Sequence, residues 1–308
     1  MDGYTLLREL RILLGEPSGG SFLDDRTSYD CLYEAAKELC QRTLALTTTQ
    51  SITTVAEQTT YNLNPDFLSL YLRDSQNDLI IKYNDGSSNT FLRHRDYDAI
   101  VIGDNTTSQS VPNSFTIVDA SGVSQLTGTA TSTAASSNGE ATLTNSSANF
   151  VNVSAGDYVH NLTDGSHGIV VSKTSNTVLV CALFEGTNND WTSGDSYVIT
   201  FNGRLAILVD PPPSTAGHTI TVQYTQIPVP VYSPYKSYRF APDYKEALVY
   251  YAAFKYKYRD NQPDFGDRLW KHFDARVRGI SRDIRQAKNT GGYRVNFIKP
   301  ANRSGTRR

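Results

Sequence analysis

Leu39-Cys40-Gln41-Arg42-Thr43-Leu44-Ala45-Leu46-Thr47-Thr48-Thr49-Gln50-Ser51-Ile52-Thr53-Thr54-Val55 changes character halfway along, and that change decides the fold class. Upstream, Tyr29, Leu32, Tyr33, Ala36, Leu39, Cys40 and Leu44 recur at intervals of three and four. That spacing predicts an amphipathic helix, with Asp24 or Asp25 able to cap its start. From Leu46 the residues become β-branched. Ser51 to Val55 and Thr59 to Leu63, flanking Glu57-Gln58, predict a β hairpin. Nearer the start, Leu6, Leu7, Leu10, Leu13 and Leu14 mark a short helix from Tyr4 to Leu14, stopped by Gly15 and Pro17 and expected to pair antiparallel with the second.

Beyond the hairpin, Asn64-Pro65-Asp66 is a breaker, Phe67 to Arg73 and Asp78 to Tyr83 read as strands, Asn84-Asp85-Gly86 as a turn, and Phe91 to Ile100 as a short helix. Between residues 105 and 200 only eight residues are charged, while Ser, Thr, Asn and Gly dominate. Alternating runs persist there: Phe115 to Val118, Tyr158 to Leu162, Gly168 to Val171 and Thr177 to Val180. They predict an inserted all-β module, with Thr127 to Gly139 as its most mobile loop. Strand texture resumes at Leu205 to Val209 and His218 to Tyr224. Helices return with Ala247, Leu248, Tyr251, Ala252, Phe254 and Tyr258 after Asp243, and with Leu269, Trp270, Phe273, Val277 and Ile280 after Asp264.

The expected fold is α+β: a helical bundle with a β hairpin region, an inserted small all-β barrel or sandwich, and an extended C-terminal arm. Its expected divisions are a discontinuous body (1–104 and 201–290), the β module (105–200) and a basic arm (291–308).

The 308 residues carry 29 Lys+Arg against 31 Asp+Glu, a net charge of −2. That near-neutrality conceals a split. Residues 271–308 hold eleven basic and two acidic side chains, net +9, and the other 270 hold 18 basic and 29 acidic, net −11. An acidic body with a basic tail suits an acidic partner or another copy of the body. No run approaches the ~20 apolar residues of a membrane span, and Met1-Asp2-Gly3-Tyr4-Thr5 lacks a leader's basic and apolar parts. A soluble, unexported chain is expected. Its three cysteines should be reduced and buried, since Cys31 and Cys40 lie nine residues apart on one helix. The four Asn-x-Ser/Thr sequons (Asn105, Asn145, Asn152, Asn161) then reflect composition rather than glycosylation.

Catalytic signatures are weak. His94-Arg95-Asp96 copies the start of a kinase catalytic loop, but no Asn follows at the required spacing, and no Gly-rich loop or Asp-Phe-Gly accompanies it, so a mixed-charge surface helix is the better reading. The five histidines lack metal-ligand spacing. Asp24-Asp25 and Asp96-Tyr97-Asp98 fit helix capping and solvated faces better than paired carboxylates. No nucleophile elbow or Walker loop occurs. No cofactor, metal or enzymatic activity is expected.

Two features carry more. Ten Tyr and Phe residues between Tyr232 and Tyr258 interleave with Lys236, Arg239, Lys245, Lys255, Lys257 and Arg259. Such an array could stack single-stranded nucleic acid. Half of its rings fall at core spacing, which favours packing and subunit contact through Tyr244, Tyr251, Phe254, Tyr258 and Trp270. In the tail, Tyr293, Val295, Phe297 and Ile298 interleave with Arg294, Asn296 and Lys299, a pattern suited to strand addition or groove docking.

The order of elements resembles the head-to-tail adaptor proteins of tailed bacteriophages. The resemblance rests on Leu13-Leu14-Gly15-Glu16-Pro17, Phe22-Leu23-Asp24-Asp25, Glu34 to Leu39, Thr47-Thr48-Thr49 and Tyr61 to Phe67. Leu205 to Pro212, Ile220 to Tyr224 and Phe240 to Ala253 continue it, so it covers about 1–100 and 202–290. The insertion departs from the family pattern, and its role stays open. The resemblance implies a virion protein of the head-tail junction, made in the host cytoplasm, forming a ring usually of twelve copies beneath the portal. Such a ring continues the DNA channel without sequence-specific binding of double-stranded DNA and offers a platform to tail nozzle or tube proteins. The arm would dock on the portal, here through Tyr293, Arg294, Val295, Phe297, Ile298, Lys299, Arg303, Arg307 and Arg308. Two other readings are a nucleic-acid-binding protein using the basic end, and a carbohydrate-binding module resting on residues 105–200.

Overall fold

The computed structural model describes residues 1–16, 23–70, 81–101, 109–120, 122 and 124–288, with side chains left out at 101 and 281–288. Its first helix, α1 (Gly3–Leu14), starts where the Asp2 carboxylate accepts from the Thr5 N–H at 2.8 Å. It stops at Gly15, whose φ of 72° turns the chain away. In the same way Asp24 caps α2 (Asp25–Thr43), accepting from the Thr27 N–H at 3.0 Å.

Seven strands and a short helix follow: β1 (Thr47–Thr53), β2 (Thr60–Asn62), β3 (Phe67–Leu70), β4 (Ile81–Asn84), β5 (Asn89–Phe91), β6 (Arg93–His94), α3 (Tyr97–Val101) and β7 (Ser114–Asp119). The module's strands are β8 (Gln125–Thr129), β9 (Ala141–Thr144), β10 (Tyr158–Asn161), β11 (His167–Ser175), β12 (Val178–Phe184) and β13 (Ser196–Thr200). The chain ends in β14 (Leu205–Asp210), β15 (Thr219–Gln226), α4 (Lys245–Arg259) and α5 (Pro263–Lys288).

The architecture is mixed α+β. One five-stranded sheet runs β1-β15-β4-β5 with β3 also on β15, and a four-stranded sheet runs β2-β14-β7-β6. They share a core of Tyr61, Ile81, Tyr83, Phe115, Ile207, Val209, Ile220 and Val222. The expected hairpin does not form, because β1 pairs with β15 and β2 with β14, in different sheets. Paired residues lie 166 to 178 positions apart for β1 and 144 to 148 for β2, and a short local turn was not needed to bring the strands into register. Side chains link the two neighbours: Gln50 donates to the Asn62 carbonyl and accepts from the Asn64 N–H, and the Tyr61 hydroxyl donates to the Val55 carbonyl and accepts from the Val55 N–H.

Residues 125–200 form a six-stranded antiparallel sheet, β8-β13-β10-β11-β12-β9, curled into a half-barrel around Trp191, Tyr197, Phe150, Leu143 and Leu179. Just beyond β8, the Thr131 N–H donates to the Thr144 carbonyl at the end of β9 at 2.7 Å. Thr127 to Gly139 is therefore no loose loop: β8 occupies its start, and Ala134 bridges to Trp191. The strand around Phe115 is not part of this sheet, since β7 pairs with β14 outside the half-barrel. The expected helix from Phe91 to Ile100 shrinks to α3, because Phe91 and Arg93-His94 are taken up as edge strands.

The helices do not form a plain bundle. α4 packs on α1, α2 and α5, so the first two helices meet largely through it, and their shared core also includes Ile169, Val171 and Ala182 of the half-barrel. The expected arm, 291–308, lies outside the described residues.

At the return from the half-barrel the Asp157 carboxylate is fully buried. It takes Arg204 at 2.7 Å and the N–H groups of Ser154 and Asn202, while Arg204 also donates to the Asn152 and Asn202 carbonyls. Removing one partner leaves a buried charge uncompensated. Asp157→Ala should cost about 3 to 5 kcal/mol in urea unfolding.

Cys31, Cys40 and Cys181 are free and buried. Burial, helped by nearby Glu34 at Cys31, pushes the Cys31 and Cys40 thiols up to about 12, and burial raises Cys181 as well. All three should resist a thiol reagent at pH 8 in the native protein and react together once urea unfolds it.

Candidate functional site

α5 is strongly amphipathic, and the face carrying Leu269, Phe273, Val277 and Ile280 is buried against α4 and α2. The rings that sequence spacing offered to a neighbouring subunit meet one another here. Tyr251 sits 4.9 Å from Phe273 and 5.5 Å from Phe254, and Phe254 lies 5.1 Å from Trp270. The Arg42 guanidinium of α2 lies over Trp270 at 4.7 Å, closing the cluster by a cation–π contact. Tyr244 stacks on Phe240 at 5.6 Å. Of the five, only Tyr258 stands clearly in solvent, 46% exposed, its hydroxyl donating to Asp267.

The cations threaded among these rings are also engaged. Lys236 meets Glu140 at 3.5 Å, Lys245 meets Glu9 at 3.0 Å, Lys255 meets Glu34 at 2.9 Å and Lys257 meets Asp260 at 3.3 Å. The Glu34 bond holds the Lys255 ammonium above its ordinary pKa. Four of the six cations in this array thus meet a carboxylate of the same chain, while Arg239 and Arg259 are exposed, as are the rings of Tyr235 and Tyr258.

Apolar side chains that do face solvent gather elsewhere. A groove of about 1030 Å³ opens between α1, the start of α2 and the segment 232–235. Tyr4, Ile12 and Tyr235 line it and are 62%, 66% and 76% exposed. Ile12 falls outside the Leu6/Leu10/Leu14 stripe, and that misplacement was the one sequence signal for this surface. Nothing local marked Tyr4 or Tyr235.

A second, small cavity of about 70 Å³ separates α2 from the half-barrel, between Arg26, Asp30, His160, His167 and Tyr232. Arg26 bridges the gap, donating to Glu185 and lying 3.1 Å from His167 Nε2. Tyr232 donates to Asp30, whose carboxyl is raised above the usual range chiefly by burial.

His94-Arg95-Asp96 lies in β6 and the turn before α3, not on a helix, and the His94 ring meets Phe115 edge-on at 5.5 Å. Among the described residues no three His, Cys, Asp or Glu side chains are grouped to hold a metal ion, and no helix is long and apolar enough to cross a membrane. The portal-docking set expected from sequence, Tyr293, Arg294, Val295, Phe297, Ile298, Lys299, Arg303, Arg307 and Arg308, lies outside the described residues.

Neither cavity assembles a nucleophile with a base, and the exposed apolar side chains suit contact with other proteins, as in a structural component. Residues 1–165, from α1 into the half-barrel, match the model of the SU10 adaptor protein family, and the chain belongs to this family of phage head-to-tail adaptors. No curated protein matches it.

Because Trp270 and Tyr251 pack inside the chain, Trp270→Ala should destabilise the isolated protein by about 3 kcal/mol. Tyr258→Ser should change it by no more than about 1 kcal/mol. Urea midpoints measured on dilute monomer separate the two.

Proposed function

We propose that this protein is a non-enzymatic virion component that joins the head of a tailed phage to its tail. In this reading copies of the chain form a ring, usually of twelve in such proteins, beneath the portal. The ring continues the DNA channel, presents a platform to tail proteins, and sends its C-terminal arm to the portal. The family match over residues 1–165 is the observation that carries the reading.

The charge distribution supports it. A body with a net charge of −11 suits a passage through which DNA slides without being held, and a basic terminus suits docking on another protein with electrostatic steering. Exposed Tyr4, Ile12, Tyr235 and Tyr258 are large side chains of the kind that anchor protein contacts. The rival reading, a nucleic-acid-binding protein, loses four lysines of the interleaved array to intrachain ion pairs. It keeps the charge of residues 271–308 and the exposed Tyr235, Arg239, Tyr258 and Arg259.

Native mass measurement of the chain with its portal should give a multimeric ring bound to portal. Deleting Gly291 to Arg308 should abolish attachment and leave the melting temperature unchanged. A persistent monomer that ignores the portal with its arm intact would overturn the proposal. Tight, steeply salt-dependent DNA binding would favour the rival, since ~0.9 counterion is released per phosphate neutralised.

A further inference from the structure

The outer surface of the half-barrel is of two kinds. Successive strand residues point to opposite faces, and on β11 and β12 the outward Ile169, Val171 and Ala182 are buried in the helical core. On β8, β13 and β10 the outward side chains are exposed or half-buried. The strand register sets them in three rows: Tyr158 beside Thr200 and Gln125, His160 beside Val198 and Thr127, and Leu162 beside Ser196 and Thr129. The rows cover about 10 Å across the strands and about 13 Å along them. None of these residues is Lys, Arg, Asp or Glu, and most are Gln, Ser, Thr or His, whose side chains both donate and accept hydrogen bonds.

The small cavity beside α2 opens at one corner of this face, because Tyr158 and His160 belong to both. The charges in the cavity wall are already matched within the chain: Arg26 pairs with Glu185 and lies 3.8 Å from Asp30, and Asp30 also accepts from Tyr232. At the mouth the groups are open. The Tyr158 ring is 53% exposed, and among the described residues neither its hydroxyl nor the His160 ring nitrogens have a hydrogen-bond partner. A nucleic acid or another polyanion would need surplus cations, and the rows hold no lysine or arginine. A protein partner would be anchored by several large side chains, and only Tyr158 and Leu162 stand out here. A sugar fits both parts of the surface. One face of its ring is made of C–H groups that can lie on an aromatic ring, and its rim of hydroxyls donates and accepts in turn.

We propose that the outer face of β10, β13 and β8 binds a neutral oligosaccharide. One sugar ring lies on Tyr158 and sends a hydroxyl into the mouth of the cavity beside His160, and the following units cross the hydroxyl rows of β13 and β8. The matched charges of Arg26, Asp30 and Glu185 leave no net cation to reward an acidic sugar, so the site selects uncharged chains. The inference does not depend on the ring reading, since every residue it uses lies in the half-barrel or on the flank of α2 against it.

The full-length chain can be titrated calorimetrically with neutral oligosaccharides of glucose, galactose, mannose and N-acetylglucosamine, with the matching monosaccharides, and with sialylated and sulfated chains. At least one neutral oligosaccharide should bind, more tightly than its monosaccharide and than any acidic chain. Tyr158→Ala and His160→Ala should each raise its dissociation constant about tenfold, in keeping with a lost aromatic platform or a lost hydrogen bond at the cavity mouth. Both side chains are exposed, so the melting temperature should hold. Tyr97→Ala, which removes an equally exposed ring on α3, should leave binding unchanged. Absence of saturable binding by any neutral oligosaccharide, an affinity unmoved by Tyr158→Ala, or a preference for acidic chains would overturn the proposal. So would loss of self-association in Tyr158→Ala and Leu162→Ser without any saccharide bound by the native chain, which would make this face a contact between copies instead.

Discussion

The two faces of β11 and β12 hold the molecule together. Val170, Cys181 and Leu183 point into the half-barrel, while Ile169, Val171 and Ala182 point out of it and into the helical core beside Tyr33 and Tyr232. Strand side chains alternate with a period of two, so one pair of strands must be apolar on both faces to serve two cores. That is why Gly168-Ile169-Val170-Val171 is a nearly continuous apolar run within an otherwise polar module. Gly168 itself has no room for a Cβ, which would fall 1.7 Å from the Ala182 carbonyl oxygen.

This two-sided burial constrains everything built around it. It docks the half-barrel on α2, which must also pack on α4 and α5, so α2 has ten buried residues in its 19. The aromatic side chains of α4 and α5 add to that packing, Tyr251, Phe254 and Trp270 being partly buried against it. Large apolar side chains left in solvent gather at the groove of Tyr4, Ile12 and Tyr235.

Legibility in the sequence followed the range of the interactions. α1 and α2 were readable because their stripes, the Gly15 stop and the Asp24 cap lie within a few residues, whereas the Asp2 cap of α1 was not read. The half-barrel strands at Tyr158, Gly168 and Thr177 were readable for the same reason. The hairpin was misread because Ser51 to Val55 and Thr59 to Leu63 carry strand propensity but no record of distant partners. The strand at Phe115 was assigned to the module by its polar surroundings, when its pairing with β14 is decided across the whole insertion. Tyr251, Phe254 and Trp270 had the right spacing for burial, yet spacing does not say whether a helix of the same chain or of another covers a face.

By itself the sequence determined the helix stripes and caps, the charge division between body and tail, the reduced thiols and the family. Each of these is local or compositional, a matter of side-chain chemistry within a turn or two of backbone. The tertiary structure alone decided which strands share a sheet and which rings are core. Those outcomes depend on contacts between residues more than a hundred positions apart, and the apolar residues competing for the same buried surface look alike until the chain is folded.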